Sequence, residues 1–173
     1  ITQKIMIELK SKFNSRSLNL LGCLACTGMM AYALYAQHFL FLDPCPLCVI
    51  QRITVITTGI IFLFAFIQKP RLWGRLTYAA LITVSAGTGA GVSAWHVWLQ
   101  NLPSDKIPSC GPGFDYIISS FPIGEAFSLI FSGSGECATT DWKLFSLSMP
   151  SWVFISCLAL IVIGLQANLK AKI

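Results

Sequence analysis

The sequence predicts an all-α membrane protein, a bundle of four transmembrane helices. Of its 173 residues 55% are hydrophobic and only 11% are charged, whereas soluble domains carry about 25% charged residues. Apolar runs of nearly membrane-spanning length occur four times, and basic residues gather at their edges. This composition excludes an ordinary soluble domain, a disordered chain and a nucleic-acid-binding arm.

The four apolar runs define the predicted helices, because a span needs about 20 mostly apolar residues to cross a hydrocarbon core of roughly 30 Å. They form a single membrane domain over residues 1–173, with spans at about 18–37, 46–67, 76–99 and 150–167. The first and third connections between spans lie on the same side of the membrane. They are a short loop over about 38–45 and a long loop over about 100–149.

The charges orient these helices. The side that holds both termini carries nine basic residues against one acidic residue, Glu8, while the other side carries two basic and six acidic residues. Cytoplasmic segments of membrane proteins are enriched in Lys and Arg. We therefore expect both termini in the cytoplasm and both loops on the opposite side.

The third run contains the string Gly87, Gly89 and Gly91. A Gly-x-Gly-x-Gly string can indicate nucleotide binding, but only after a strand, and none is predicted here. Small residues also let membrane helices approach closely. We therefore interpret these glycines as helix-packing residues.

The predicted topology sorts the seven cysteines. Three lie within apolar runs, where hydrocarbon disfavours the reactive thiolate and a cysteine acts as a small apolar residue: Cys23, Cys26 and Cys157. Four lie on the outer side: Cys45, Cys48, Cys110 and Cys137. An oxidising compartment favours disulfides, and four cysteines allow three pairings.

The segment Cys45-Pro46-Leu47-Cys48 combines three features that activate a thiol. Pro46 suits the first position of a helix, which places Cys45 near the N-cap and Cys48 in the first turn. Unpaired N–H groups and the helix dipole stabilise an anion there. Arg52 follows Cys48 by four residues, on the same helix face, and its charge favours the thiolate form. The alternative is an inert structural disulfide with Arg52 anchored at the headgroups.

The long outer loop supplies the other two cysteines in turn-rich surroundings, Pro-Ser-Cys110-Gly-Pro-Gly and Gly-Ser-Gly-Glu-Cys137-Ala. As an isolated pair they would staple the loop, whereas beside an activated Cys-x-x-Cys they favour thiol exchange. Zinc sites bring two short pairs together. Only one pair is short here, so we expect no metal, and the c-type haem motif is absent from the sequence.

Apolar residues between positions 114 and 131 have helical spacing interrupted near Pro122. They predict short amphipathic helices that could lie on the bilayer surface and keep Cys110 and Cys137 near Cys45. A buried apolar patch is the alternative.

Four ordered motifs resemble the family of disulfide bond formation protein B, DsbB. They are Cys-Pro-Leu-Cys-Val-Ile-Gln-Arg at 45–52, His-Val-Trp-Leu-Gln at 96–100, Pro-Ser-Cys-Gly-Pro-Gly at 108–113, and Gly-Ser-Gly-Glu-Cys-Ala followed by Asp-Trp at 133–142. The resemblance covers roughly residues 18–165 and is specific, because the motifs fall on the outer side of the predicted topology.

The resemblance implies a multi-pass enzyme of the bacterial inner membrane with a periplasmic active site. Such an enzyme reoxidises a periplasmic thioredoxin-fold oxidase of the DsbA type and passes two electrons to the membrane quinone pool, ubiquinone or menaquinone. It also implies that the partner attacks Cys110 of a Cys110–Cys137 disulfide. Cys137 would then exchange with Cys45 and release Cys48 beside the quinone and Arg52.

His96 at the outer end of the third run is expected to donate a hydrogen bond to a quinone oxygen, the alternative being contact with water or headgroups. Trp95 occupies a position that is often basic in the family, and Trp95 and Trp98 also suit an interfacial aromatic belt. Two rival functions stay open. One is a vitamin K epoxide reductase type of enzyme, whose Cys-x-x-Cys normally lies later in the chain. The other is a non-catalytic membrane protein with two structural disulfides.

Overall fold

The computed structural model describes residues 14–103 and 142–170 without a break. Between them it describes parts of the outer loop, at residues 116, 119–122, 124, 125, 128, 130 and 135–138. Cys110, for which the family resemblance implies attack by a partner, and the basic N-terminal tail before residue 14 lie outside the described residues.

Long helices make up most of the described chain, as the sequence predicts. They are α1 (Ser15–Phe39), α2 (Pro46–Gln68), α3 (Leu72–Gln100) and, after the short helix α4 (Gly135–Ala138), α5 (Met149–Leu165), which continues into a π-helical turn (Gln166–Lys170). Three helical segments are long and apolar enough to cross a membrane: Ser15–Phe39, Pro46–Gln68 and Met149–Leu169. Helix α3 is longer, at 29 residues, but its Gly, Ser and Thr residues dilute its apolar character.

The bundle exposes large apolar side chains along its helices. Leu24 is 59% exposed, Val84 is 69% exposed and Val162 is 51% exposed, each in the middle of a helix. Contiguous apolar surface of this kind is unfavourable in water and is typical of a lipid-facing surface. The all-α membrane class predicted from the sequence is therefore consistent with the exposed surface as well as with helix length.

Helix α3 makes its most extensive contact with α5, while α2 packs between α1 and α3. A central core joins the four long helices through Cys26, Val55, Phe62, Ile82, Ala86 and Leu160. Cys157 is likewise buried, at 2% exposed. Cys26 and Cys157 thus have the packing role that the sequence analysis assigned to the cysteines within apolar runs.

One glycine of the Gly87–Gly91 string lies at a close helix contact. A Cβ atom added at Gly89 would stand 2.7 Å from Thr54 Oγ1 of α2 and 3.1 Å from Cys157 Sγ of α5. Among the described residues, a Cβ atom at Gly87 or Gly91 would meet no non-local neighbour within 4 Å. The helix-packing interpretation is confirmed at Gly89 and is wrong for the other two.

The outer segment ends in a two-stranded antiparallel hairpin that the sequence analysis did not predict. Strand β1 (Lys143–Leu144) pairs with β2 (Leu147–Ser148) around Phe145 and Ser146, which have φ angles of 51° and 65°. Hairpin turns with positive φ normally use Gly, Asn or Asp. Because neither residue is of that kind, the sequence carries no recognisable turn signal.

Candidate active site at the start of helix α2

The site begins at the N-terminus of α2, where Cys45 is the N-cap and Pro46 occupies the first turn. This local geometry was predicted from the sequence and is confirmed. The Cys45 thiol donates to Cys48 Sγ across 3.1 Å. The two sulfur atoms of the Cys-x-x-Cys segment therefore face each other at the outer end of the helix.

A third cysteine reaches this pair from the outer segment. Helix α4 carries Cys137, which is fully buried in one apolar cluster with Cys45, Leu47 and Ile130. Hydrogen bonding between Cys45 and the Cys137 and Cys48 thiols, reinforced by burial, raises the pKa of Cys45. Cys45 thus lies between two other sulfur atoms, so that a disulfide formed with either one would be within reach of the third sulfur for exchange.

The apolar residues around Pro122 contribute to this cluster. Described residues on both sides of Pro122 are helical, in agreement with the predicted interruption. Ile130 is 7% exposed and Phe121 packs against the same cluster. These two side chains therefore pack in the cysteine cluster, as the buried-patch alternative expects, and the position of the segment on the bilayer surface stays a prediction.

His96 of α3 joins the site although it lies 51 positions after Cys45. Its Nε2 atom is 3.1 Å from the backbone carbonyl oxygen of Cys137 and 3.8 Å from Cys45 Sγ. Its Nδ1 atom is 3.3 Å from the amide nitrogen of Gln51. The ring is 2% exposed, so it is not the water-exposed interfacial histidine considered as the alternative.

These contacts define the tautomer of a neutral His96. The Cys137 carbonyl can only accept, so Nε2 carries the hydrogen and donates it. Nδ1 is then an acceptor for the Gln51 amide N–H. Gln51 thereby orients the ring, and the ring in turn attaches the Cys137 backbone beside Cys45.

Arg52 and Cys48 both line an apolar cavity between α1, α2 and α5. Cys48, Gln51 and Arg52 line this cavity of about 110 Å³, together with Ala33 and Pro150. Arg52 donates from Nη1 to Gln37 Oε1 and from Nη2 to the carbonyl of Ala33, both on α1. The guanidinium thus lies near Cys48, as predicted, and is oriented by α1.

The structure brings three of the four predicted cysteines together with His96, and it places Arg52 at the adjoining cavity. Both ring nitrogens of His96 have protein partners in this structure. The predicted contact of His96 with a quinone is not tested by these contacts and stays a prediction. Gln37 and Gln51 were missed by the sequence analysis. The sequence did carry a signal for these two residues, because a polar side chain within an apolar membrane helix is rare and tends to be functional.

The cluster also meets a geometric condition for metal binding that cysteine spacing did not reveal. The ligand atoms of Cys45, Cys48 and His96 all lie within 4.8 Å of one another. Two sulfur atoms and one imidazole nitrogen form a donor set that suits zinc-like cations. The histidine comes from a distant position in the sequence, which explains why the spacing of cysteines alone predicted no metal.

Adjacent thiols at one end of a helical membrane bundle are the groups that thiol–disulfide chemistry at a membrane requires. The model of the family Disulfide bond formation protein DsbB matches residues 15–167. This chain belongs to that family, which agrees with the resemblance of its sequence motifs.

Individual relatives cover most of the chain. Disulfide bond formation protein B of Saccharophagus degradans is 46% identical over 145 residues, which are 84% of this chain and 87% of that protein. The protein of the same name from Nitrosococcus oceani is 43% identical over 145 residues, 84% and 86% of the two chains. That of Xanthomonas campestris pv. campestris is 39% identical over 162 residues, 93% and 94%.

Proposed function

We propose that the protein is a thiol:quinone oxidoreductase of the bacterial inner membrane. It reoxidises a periplasmic thioredoxin-fold oxidase of the DsbA type and passes two electrons to ubiquinone or menaquinone. The observation that carries this proposal is the contact of Cys137 with the Cys45–Cys48 pair, because it joins a cysteine of the outer loop to the cysteines beside the cavity. The proposed topology has four spans, cytoplasmic termini and periplasmic loops, as the charge distribution indicates.

The thiol relay balances as a series of exchanges. A partner thiolate attacks Cys110 of the Cys110–Cys137 disulfide and releases the Cys137 thiolate. Cys137 then attacks Cys45 of the Cys45–Cys48 disulfide and releases Cys48. The second partner thiol resolves the mixed disulfide and leaves oxidised partner. Cys110 finally displaces Cys45 from Cys137, which restores the loop disulfide and leaves Cys45 and Cys48 as a dithiol.

His96 and Gln51 support the central exchange. Since His96 Nε2 donates to the Cys137 carbonyl at 3.1 Å, the backbone that carries the Cys137 thiol is attached beside Cys45. Gln51 fixes the ring for this contact. Proximity of two reactants lowers the entropic part of an exchange barrier.

The cavity beside Cys48 supports the proposal by its apolar lining and by the Arg52 guanidinium at its wall. Its volume of about 110 Å³ is smaller than the apolar protein cavity of about 150 Å³ that binds benzene, so a quinone ring would have to widen it. A bound quinone supplies an acceptor for the two electrons and two protons of the dithiol. Cys48 presents its sulfur to the cavity, while Gln37 and Ala33 orient the Arg52 guanidinium that would bind a quinone oxygen.

The test is an anaerobic reaction of the purified protein with a reduced DsbA-type partner and a water-soluble ubiquinone or menaquinone analogue. One quinol should form for each partner disulfide. Cys45→Ser and Cys48→Ser should each abolish the reaction, while a Cys23→Ala/Cys26→Ala/Cys157→Ala variant should keep most of it.

A protein with only structural disulfides would give no quinol and would resist mild reductant. Loss of turnover in a well-inserted Cys23→Ala/Cys26→Ala variant would contradict the assignment of chemistry to the outer cysteines.

A further inference from the structure

Cys45, Cys48 and His96 together offer three ligand atoms to a metal ion. Cys45 Sγ stands 3.1 Å from Cys48 Sγ and 3.8 Å from His96 Nε2. Zinc bonds to sulfur are about 2.3 Å and tetrahedral, so two thiolates around it lie about 3.8 Å apart. A modest opening of the thiol pair therefore gives room for one cation between the three atoms.

The residue behind the histidine suits this role. A histidine that binds a metal through one ring nitrogen usually donates its other N–H to a fixed acceptor. Gln51 contacts His96 Nδ1 at 3.3 Å and is 4% exposed. Its amide can present either the nitrogen or the oxygen. With the oxygen towards Nδ1–H, the lone pair of Nε2 becomes available on the side of Cys45.

A dication compensates the charge of the two buried thiolates that metal coordination requires. Cys45 is 7% exposed and His96 is 2% exposed, and burial of an uncompensated anion is costly. A coordinated divalent cation deprotonates its thiol ligands and neutralises them. Soft thiolate donors select zinc-group and cuprous ions over magnesium or calcium.

We propose that the reduced protein binds one soft divalent cation, zinc or cadmium, through Cys45, Cys48 and His96. The two thiol protons leave to solvent when the two metal–sulfur bonds form, and no electrons are transferred. Oxidation of the pair to a disulfide removes both thiolates, so the oxidised protein does not bind the cation at this site. This site lies beyond the proposed electron transfer and requires only a reduced Cys45–Cys48 pair.

Cation binding has a consequence for the relay. The bound metal uses His96 Nε2, the atom that otherwise donates to the Cys137 carbonyl. The cation therefore keeps the thiols of Cys45 and Cys48 from thiol exchange. It also breaks the hydrogen bond that holds the Cys137 backbone beside Cys45. We expect it to inhibit the reduced protein and to leave the fully oxidised protein unaffected until it is reduced.

The experiment uses the full chain in detergent, in a background that replaces Cys23, Cys26 and Cys157 by Ala and Cys110 and Cys137 by Ser, so that Cys45 and Cys48 are the thiols that remain. The protein is reduced, freed of reductant anaerobically and titrated with Cd²⁺ alone, without partner or quinone. We expect one equivalent of Cd²⁺ per chain, with a thiolate-to-cadmium absorption band in the ultraviolet. The oxidised protein, Cys45→Ser and Cys48→Ser should lack this band, and His96→Gln should bind more weakly.

The Gln51 variants test the site more sharply. Gln51→Leu should weaken Cd²⁺ binding about 10- to 100-fold, because the ring loses its acceptor. Gln51→Glu keeps an acceptor for Nδ1–H and should restore the affinity. An undiminished band in Cys48→Ser, or equal affinity of His96→Gln and its parent, would overturn the proposal. Since no turnover is measured, failure here is distinct from failure of the proposed oxidase function.

Discussion

Arg52 is a cation at membrane depth whose orientation depends on another helix. It lies seven residues into α2, and both of its hydrogen-bond acceptors, Gln37 Oε1 and the Ala33 carbonyl, belong to α1. Its guanidinium lines the same cavity as Cys48. The side chain is therefore held at the wall of that cavity by α1.

We expect Arg52→Gln to raise the apparent KM for quinone by about 10- to 100-fold, since a hydrogen bond from a charged group contributes about 1.5–3 kcal/mol. Arg52→Lys should have an intermediate effect, because it keeps the charge and loses the planar fork. Turnover measured against quinone concentration at saturating partner checks both values.

A matched control is Arg16→Gln, because the Arg16 guanidinium stacks over Phe66 at 4.6 Å and does not line the cavity. Normal quinone kinetics in a well-inserted Arg52→Gln protein would leave Arg52 with an anchoring role only.

For individual residues, the sequence predicts the positions and contacts that arise within one helix. The N-cap position of Cys45 follows from Pro46 and the apolar run behind it, and the closeness of Arg52 to Cys48 follows from helical spacing. The Gln51–His96 contact joins residues 45 positions apart. Such a contact depends on how α2 and α3 pack, which the sequence pattern does not specify.

Among the helices, α3 shows how one small residue determines a packing distance. Gly89 is buried against α2 and α5, and Thr54 Oγ1 is the atom that a Cβ at this position would approach most closely. That hydroxyl is held by its hydrogen bond to the Gln51 carbonyl at 2.8 Å. The neighbouring Gly87 has space around it. The two glycines are therefore a matched pair for testing close helix contact.

Gly89→Ala should destabilise the protein by about 1–2 kcal/mol, because an added methyl group in a tight contact forces neighbours apart. Gly87→Ala should be neutral or stabilising by up to about 1 kcal/mol, since alanine favours the helix. Thermal or denaturant unfolding in one detergent gives both values. Equal effects of the two substitutions would contradict the packing role of Gly89.

The helices themselves were predictable because each apolar run is long and is bounded by polar or proline residues. Helix α3 extends from Leu72 to Gln100, beyond the predicted span at about 76–99, since Trp73 and Arg75 continue the helix outside the most apolar stretch. The hairpin at Lys143–Ser148 was not predictable, because its turn is formed by Phe145 and Ser146 in a conformation that their residue types do not favour.

The first and last long helices are joined at the end of the bundle opposite the cysteines. Asn168 donates from Nδ2 to Asn19 Oδ1 at 3.2 Å, across 149 positions of the chain. Both side chains are buried, at 3% and 1% exposed. A polar pair between apolar helices favours one relative position of those helices over others.

Asn19→Leu should lower the free energy of unfolding by about 1 kcal/mol, since hydrogen bonds between membrane helices contribute about 0.6 kcal/mol on average and about 1.7 kcal/mol at most. A double-mutant cycle with Asn168→Leu isolates the pair from other effects of each substitution. Asn14→Ala, at an exposed residue whose side chain makes no capping hydrogen bond, is the control. An interaction energy of zero in the cycle would exclude a stabilising contact.

The proposed relay spans the outer segment and the bundle, and Cys137 is where the two meet. We expect Cys137→Ser to accumulate a mixed disulfide between Cys110 and the oxidised partner, formed when the Cys110 thiolate attacks the partner disulfide and releases one partner thiol, because the second loop cysteine that would displace the partner is missing. Mass mapping of the trapped species identifies the cysteine involved. An adduct on Cys45 with Cys110 unmodified would reverse the proposed order.

Burial limits direct access to two thiols of the site. Cys45 is 7% exposed and Cys137 is 0% exposed, and Ile130 packs in the same cluster. Small thiols that diffuse in the aqueous phase therefore have almost no direct access to these sulfur atoms. Thiol exchange requires in-line approach to sulfur, so this shielding is a kinetic barrier to direct exchange of bulk thiols with Cys45 or Cys137. In the proposed relay, selectivity for one reductant would then be set at Cys110, where the partner is proposed to attack.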